Sequence, residues 1–120
     1  MHVAFIYTGK VTGGKPFLST LQRRTDRGEL RTWKVKRKQP LTLVHTQYPG
    51  VYLEFAIAGT KRFVRAIGAF RLLPEPAVLA SIPAGPNSAQ VLGFLVGMLA
   101  REAEPFGVAS VSIPLSDPKR

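Results

Sequence analysis

The chain has 120 residues, 45% of them hydrophobic and 20% charged, with no cysteine and a formal net charge of +10. This balance suits one folded domain with its own core, and it excludes a disordered tail, a disulfide framework and a cysteine-based zinc site. Residues 1–71 hold fourteen Lys/Arg and three acids, whereas residues 72–120 hold three and four, a segregation that points to a polyanionic partner for the first part.

The N-terminus has no basic region before its short apolar stretch, so no secretory signal is expected. The longest apolar run, Val91 to Ala100, is about half of the ~20 residues a bilayer span needs. An intracellular, cytoplasmic protein without membrane contact is the expectation.

Val3 to Thr8 reads as a strand. The next stretch, GKVTGGKP, has the spacing of the phosphate-binding G-x-x-x-x-G-K-[ST] loop, with Gly9, Gly14 and Lys15 in place. Pro16 stands where the magnesium-binding hydroxyl belongs, and no carboxylate ends a second apolar strand. A glycine-rich hairpin turn is therefore expected, with Lys10 and Lys15 at its rim.

Phe17 to Arg24 follows as a β-forming run, and TDRGE (Thr25 to Glu29) as a turn, making residues 17–38 a hairpin. In its second strand Thr32, Lys34, Lys36 and Lys38 share one face, and Trp33 and Val35 the other. Trp33 is therefore assigned to the core. Leu41 to Thr46 and Val51 to Ala58 are two more strands, joined through Tyr48-Pro49-Gly50. Tyr52 and Glu54 lie on the face away from the large apolar residues. Lys61 to Phe70 reads as a further strand.

Residues 72–86 form a connector pinned by Pro74, Pro76, Pro83 and Pro86, with room for a short strand at Val78 to Ile82. Asn87 is placed to cap a helix over residues 87–104, with Gln90 as its capping-box partner. The helix is apolar almost all round, as a buried helix is. Its Gly93 and Gly97 form a G-x-x-x-G, read as close approach to the sheet or, alternatively, as self-association in a homodimer. Residues 107–114 close the sheet with a final strand.

The expected fold is α+β, mainly β: an antiparallel curved sheet or partial, OB-like barrel of about 5–7 short strands with one buried C-terminal helix. Catalysis finds little support. His2 and His45 stand 43 residues apart, no carboxylates pair suggestively, and metal ligands are lacking, so neither an enzyme nor a cofactor is expected. The basic segment carries the functional reading, with Arg23, Arg24, Arg27, Arg31, Lys34, Lys36, Arg37 and Lys38 within sixteen residues. With Tyr52 and a second cluster of Lys61, Arg62 and Arg65, it predicts nucleic-acid binding through phosphates, with weak sequence preference and single strands slightly favoured. The alternative is a non-enzymatic structural or regulatory subunit of a viral or ribonucleoprotein assembly, touching a protein partner through the apolar helix.

Overall fold

The computed structural model describes residues 1–9, 13–67 (without the side chains of 66 and 67) and 76–114. Six strands form one open antiparallel sheet: β1 (His2–Thr8), β2 (Trp33–Lys38), β3 (Leu41–His45), β4 (Tyr48–Ile57), β5 (Val78–Ile82) and β6 (Val108–Ser112). Their order is β2-β3-β4-β5-β1-β6, which leaves β2 and β6 as edges. Among the described residues four helices accompany it: α1 (Gly14–Asp26), α2 (Lys61–Ile67), α3 (Ser88–Arg101) and α4 (Ala103–Phe106). The fold is the expected α+β class, mainly β, with the sheet left unclosed. No helix among the described residues is long and apolar enough to cross a membrane.

The central strands explain the apolar runs. In β1, Val3, Ala4, Phe5 and Ile6 are all buried, as are Val78, Leu79, Ala80 and Ile82 of β5. A strand covered on both sides reads as continuous hydrophobicity, because both sets of alternating side chains need apolar surroundings. Ala4, Ile6, Val78, Ala80 and Ile82 join the larger core, packed with Phe17 and Leu21 of α1, Val91, Leu95 and Leu99 of α3, and Phe106 of α4. Val3, Phe5, Ala56 and Leu79 face the other way, onto Phe63 of α2. Helices thus cover one face of the sheet, while α2 covers only part of the other.

Two expected strands are helices. Phe17–Arg24, expected as the first arm of a hairpin, lies in α1, whose buried residues are Phe17, Leu21 and Thr25. Their spacing of four marks one narrow helical stripe. Phe17 packs edge-on to Phe55 and Phe106, with ring centroids 6.4 and 6.0 Å away. Pro16 falls in the first turn, where its missing N–H has no helical acceptor to serve. The second correction is Lys61–Phe70, of which Lys61–Ile67 is helical and 68–70 lie outside the described residues. Thr60 starts it: its hydroxyl oxygen accepts the Phe63 N–H at 3.2 Å, an N-cap.

GKVTGGKP is accordingly the passage from β1 into α1 and not a turn between two strands; residues 10–12, with Lys10, lie outside the described residues. Gly13 takes φ +64°, which a residue with a Cβ adopts only under strain. Gly14 lies so close to β5 that a Cβ there would stand 2.8 Å from the Ala77 carbonyl oxygen and 3.2 Å from Ile57. These glycines serve a bend and a close packing contact. The neighbours of β1 are both antiparallel, whereas a nucleotide-binding βαβ unit needs a parallel neighbour.

On the C-terminal side, the short strand expected at Val78 to Ile82 is observed and is central, because Pro76 and Pro83 bracket it without interrupting it. The helix begins at Ser88 as expected, but the capping box does not form. Asn87 has φ 67° and no side-chain cap bond, while the Ser88 hydroxyl donates to the Pro83 carbonyl at 2.7 Å. The helix is not buried all round either: Gly93, Phe94, Gly97 and Ala100 are exposed. Close approach to the sheet is therefore not the role of Gly93 and Gly97, since a Cβ on either meets nothing within 4 Å.

These environments predict opposite effects of the same substitution. Gly14→Ala destabilises the fold by roughly 1–3 kcal/mol through overpacking. Gly93→Ala and Gly97→Ala each stabilise it by about 1 kcal/mol, through helix propensity alone. Urea unfolding midpoints of the three variants check this.

Candidate nucleic-acid interface

Among the described residues, the part of the sheet that no helix covers is the β2–β3–β4 meander on the side away from α1 and α3. Register places Lys34 opposite Val44 and Val44 opposite Tyr52; one step along, Arg37 lies opposite Thr42 and Thr42 opposite Glu54. A bulge between Val35 and Arg37 inserts Lys36. It moves Arg37 from the Trp33 side, where strict alternation puts it, to the side of Lys34. Lys36 also reaches this side, its ammonium lying 5.7 Å from the centroid of the Tyr52 ring. Thr42 and Val44 are only 1% and 8% exposed on this otherwise open face, lying under the stems of their long neighbours.

Helix α2 adds the second set of cations. Phe63 anchors it in the smaller core, and this directs Arg62 toward β4, where its guanidinium donates to Glu54 at 3.0 Å. Arg37 approaches the same carboxylate from β2, at 3.9 Å. Glu54 therefore ties together two arginines from separate elements. Arg65 joins Arg62, Glu54, Met1 and Ser81 around a depression of 480 Å³. Arg37, Arg62 and Arg65 thus gather at a single carboxylate, and Lys34 and Lys36 stand on the same face beside Tyr52, which is 40% exposed.

The other sequence candidates go elsewhere. With α1 packed on the opposite side of the sheet, Arg23 and Arg27 are exposed on its outer surface, far from Tyr52. Arg24 is a structural residue: it bonds Glu102 at 2.7 Å and Glu29 at 3.1 Å, with its guanidinium 5.0 Å from the Phe106 ring centroid. The bond to Glu102, then that to Glu29, raises its pKa and keeps it charged. Arg31 is exposed in the turn before β2, Lys38 at the end of β2, and Lys61 at the start of α2. Arg71 lies outside the described residues. One continuous basic ribbon over 23–38 is therefore replaced by two surfaces on opposite sides of the sheet. Of that segment, Arg37 meets Arg62 at Glu54, Lys34 and Lys36 share the face of Arg37, and Lys38 borders a cavity with Arg62. Glu54 is the participant that sequence reasoning left without a role; its signal is the shared alternation with Tyr52.

Trp33 is buried, as the alternation requires, and meets His45 edge-on at 5.1 Å between centroids. His45 is itself buried on the helix side, stacked on Phe94 at 4.7 Å. The Gln47 N–H donates to its Nδ1 at 3.2 Å, so the ring proton belongs on Nε2. Burial pushes the His45 pKa below its ordinary value of 6.5. No group of three or more His, Cys, Asp or Glu side chains that could hold a metal ion occurs among the described residues.

No protein-family model, no curated protein and no solved structure matches this chain.

The His45 environment carries a sign for pH. With the folded pKa depressed, the unfolded chain takes up the proton first as pH falls through 6.5, so acidification costs stability. The unfolding midpoint is expected to be lower at pH 5.5 than at pH 7.5, and His45→Phe should flatten that difference. An equal drop in the variant would assign the acid sensitivity to other groups.

Proposed function

We propose that this protein binds nucleic acid in the cytoplasm through the open face of β2–β4 and the adjoining flank of α2. Contact is mainly to phosphates, with weak sequence preference and with single strands favoured. The observation that carries the reading is that β2 and α2 bring arginines to one carboxylate, Glu54, on the face where Lys36 lies over an exposed tyrosine. Lysines and a bulge on an edge strand also discourage edge-to-edge pairing. That purpose explains Lys34 and Lys36 but not Arg62 and Arg65, which belong to a helix.

A flat sheet face suits unpaired bases, which stack on aromatic rings at ~1–3 kcal/mol each. Phosphates meet flexible ammonium groups and forked guanidinium groups, and displaced counterions make the affinity fall with salt. Base-edge readout generally needs Asn or Gln beside Arg, and neither stands among the residues named on this face.

The test is titration of labelled single- and double-stranded oligonucleotides at rising salt. Log K is expected to fall linearly with log salt, with a slope reflecting several phosphates. Lys34→Glu with Lys36→Glu should abolish binding, and Tyr52→Ala should weaken it about tenfold. Arg23→Glu with Arg27→Glu, on the far side of the sheet, should cost much less. Equal losses from the two charge-reversed pairs would mean that net charge acts and that this face does not.

A second reading, self-association, is favoured by α3. Gly93 and Gly97 face open space beside Phe94, which is 37% exposed, leaving a surface against which a second copy's helix could pack closely. Sedimentation equilibrium should then give a mass that rises with concentration, and Gly97→Leu should hold the chain monomeric. A constant monomer mass for the unaltered chain removes this reading.

A further inference from the structure

A cavity of 420 Å³ opens at the end of the sheet nearest the β2–β3 turn. Its origin lies in strand length. The pairing of β3 with β4 begins at Thr42 opposite Glu54, yet β4 continues to Ile57. Beside these last residues of β4 no strand is paired on the β3 side among the described residues. The first half of α1 and the β2–β3 turn wall the space instead. Its size falls within the ~300–1,000 Å³ typical of small-ligand sites.

The lining is of two kinds. Leu18, Leu41 and Phe55 supply apolar surface, and Lys15, Lys38 and Arg62 supply charge, with no Asp or Glu among the lining residues. Lys15 and Lys38 are exposed and enter none of the ion pairs among the described residues. Arg62 is shared: it bonds Glu54 on the open face and also borders the cavity. Cations beside an apolar floor, without a carboxylate, suit an anionic group carried on a flat, weakly polar body. Three cations match a doubly charged phosphate monoester better than a singly charged diester.

The cavity borders the open face at Arg62, which bonds Glu54 there, while its apolar floor of Leu18, Leu41 and Phe55 lies on the helix side of the sheet. Tyr52, Glu54 and Ala56 follow one another on the same side of β4, and Ala56 already lines the cavity. The distance from Tyr52 to Ala56 is about 14 Å at ~3.4 Å per residue. We infer that the cavity receives the phosphorylated terminal nucleotide of a single strand lying along that face. Lys15, Lys38 and Arg62 hold the monoester, and the nucleoside rests on Leu18, Leu41 and Phe55. The assignment rests on the nucleic-acid reading of the face, and extends it to a preference for strand ends.

The experiment compares one oligonucleotide sequence in three forms: 5′-phosphorylated, 3′-phosphorylated, and hydroxyl at both ends. Adenosine monophosphate serves as the free source of the same group. One phosphorylated form is expected to bind about tenfold tighter than the hydroxyl form, the scale of one charge-assisted contact. Lys15→Ala with Lys38→Ala should erase that advantage, bringing the phosphorylated form to the affinity of the hydroxyl form. Ser19→Trp, which fills the cavity from the exposed side of α1 without altering charge, should do the same. Equal binding of all three forms overturns the strand-end assignment and leaves the face reading standing. Adenosine monophosphate binding, sensitive to these substitutions but with no end preference among oligonucleotides, also overturns it, in favour of a free nucleotide. Absence of oligonucleotide binding in any form overturns the face reading and this one together.

Discussion

Val3, Ala4, Phe5 and Ile6 alternate between two apolar layers, and each layer exists because the strand that separates them is covered on both sides. That double burial requires α1, α3 and α4 on one face and α2 on the other. The two coverings differ in extent. Three helices with Phe17, Leu95 and Phe106 fill the first side, whereas one short helix, anchored by Phe63, covers only the part of the second side over β1, β4 and β5. Among the described residues no helix covers the part over β2 and β3, and long polar chains occupy much of it.

The charge distribution follows from that unequal covering. Strand β2 is an edge, so its cations keep their hydration, and the bulge at Lys36 turns Arg37 onto the open side. Strand β4 contributes a single carboxylate, Glu54, where Arg37 of β2 and Arg62 of α2 both arrive. Glu54 has a modest energetic part, since exposed ion pairs contribute little. Its effect is positional: it holds Arg62 and Arg37 on a common face. Arg24 is the contrasting case. Partly shielded between Glu29, Glu102 and the Phe106 ring, it ties α1 to the C-terminal end of α3.

Strand period made much of this fold legible beforehand. Alternation placed Trp33 in the core and Tyr52 with Glu54 outside, and the apolar run from Val91 to Ala100 announced α3. Helices α1 and α2 escaped because their buried stripes are so narrow: Phe17, Leu21 and Thr25 in one, Phe63 alone among described side chains in the other. With few apolar residues per turn, a period of four and a period of two fit the same letters. Thr60 before Phe63, and Pro16 in a first turn, were the signals of helix starts that outweigh β-propensity there.

By itself the sequence determined the α+β class, the apolar centre, the excess of positive charge in the first part of the chain and the side of its strand taken by Tyr52. These depend on composition and on side-chain alternation, which are local. Only the tertiary structure decided which cations act together. Arg23 and Lys34 are eleven positions apart yet lie on opposite sides of the sheet, because a helix and a strand intervene, whereas Arg37 and Arg62 meet across Glu54. Such pairing depends on strand order and on which face a helix packs against, and both are settled by the burial of distant side chains.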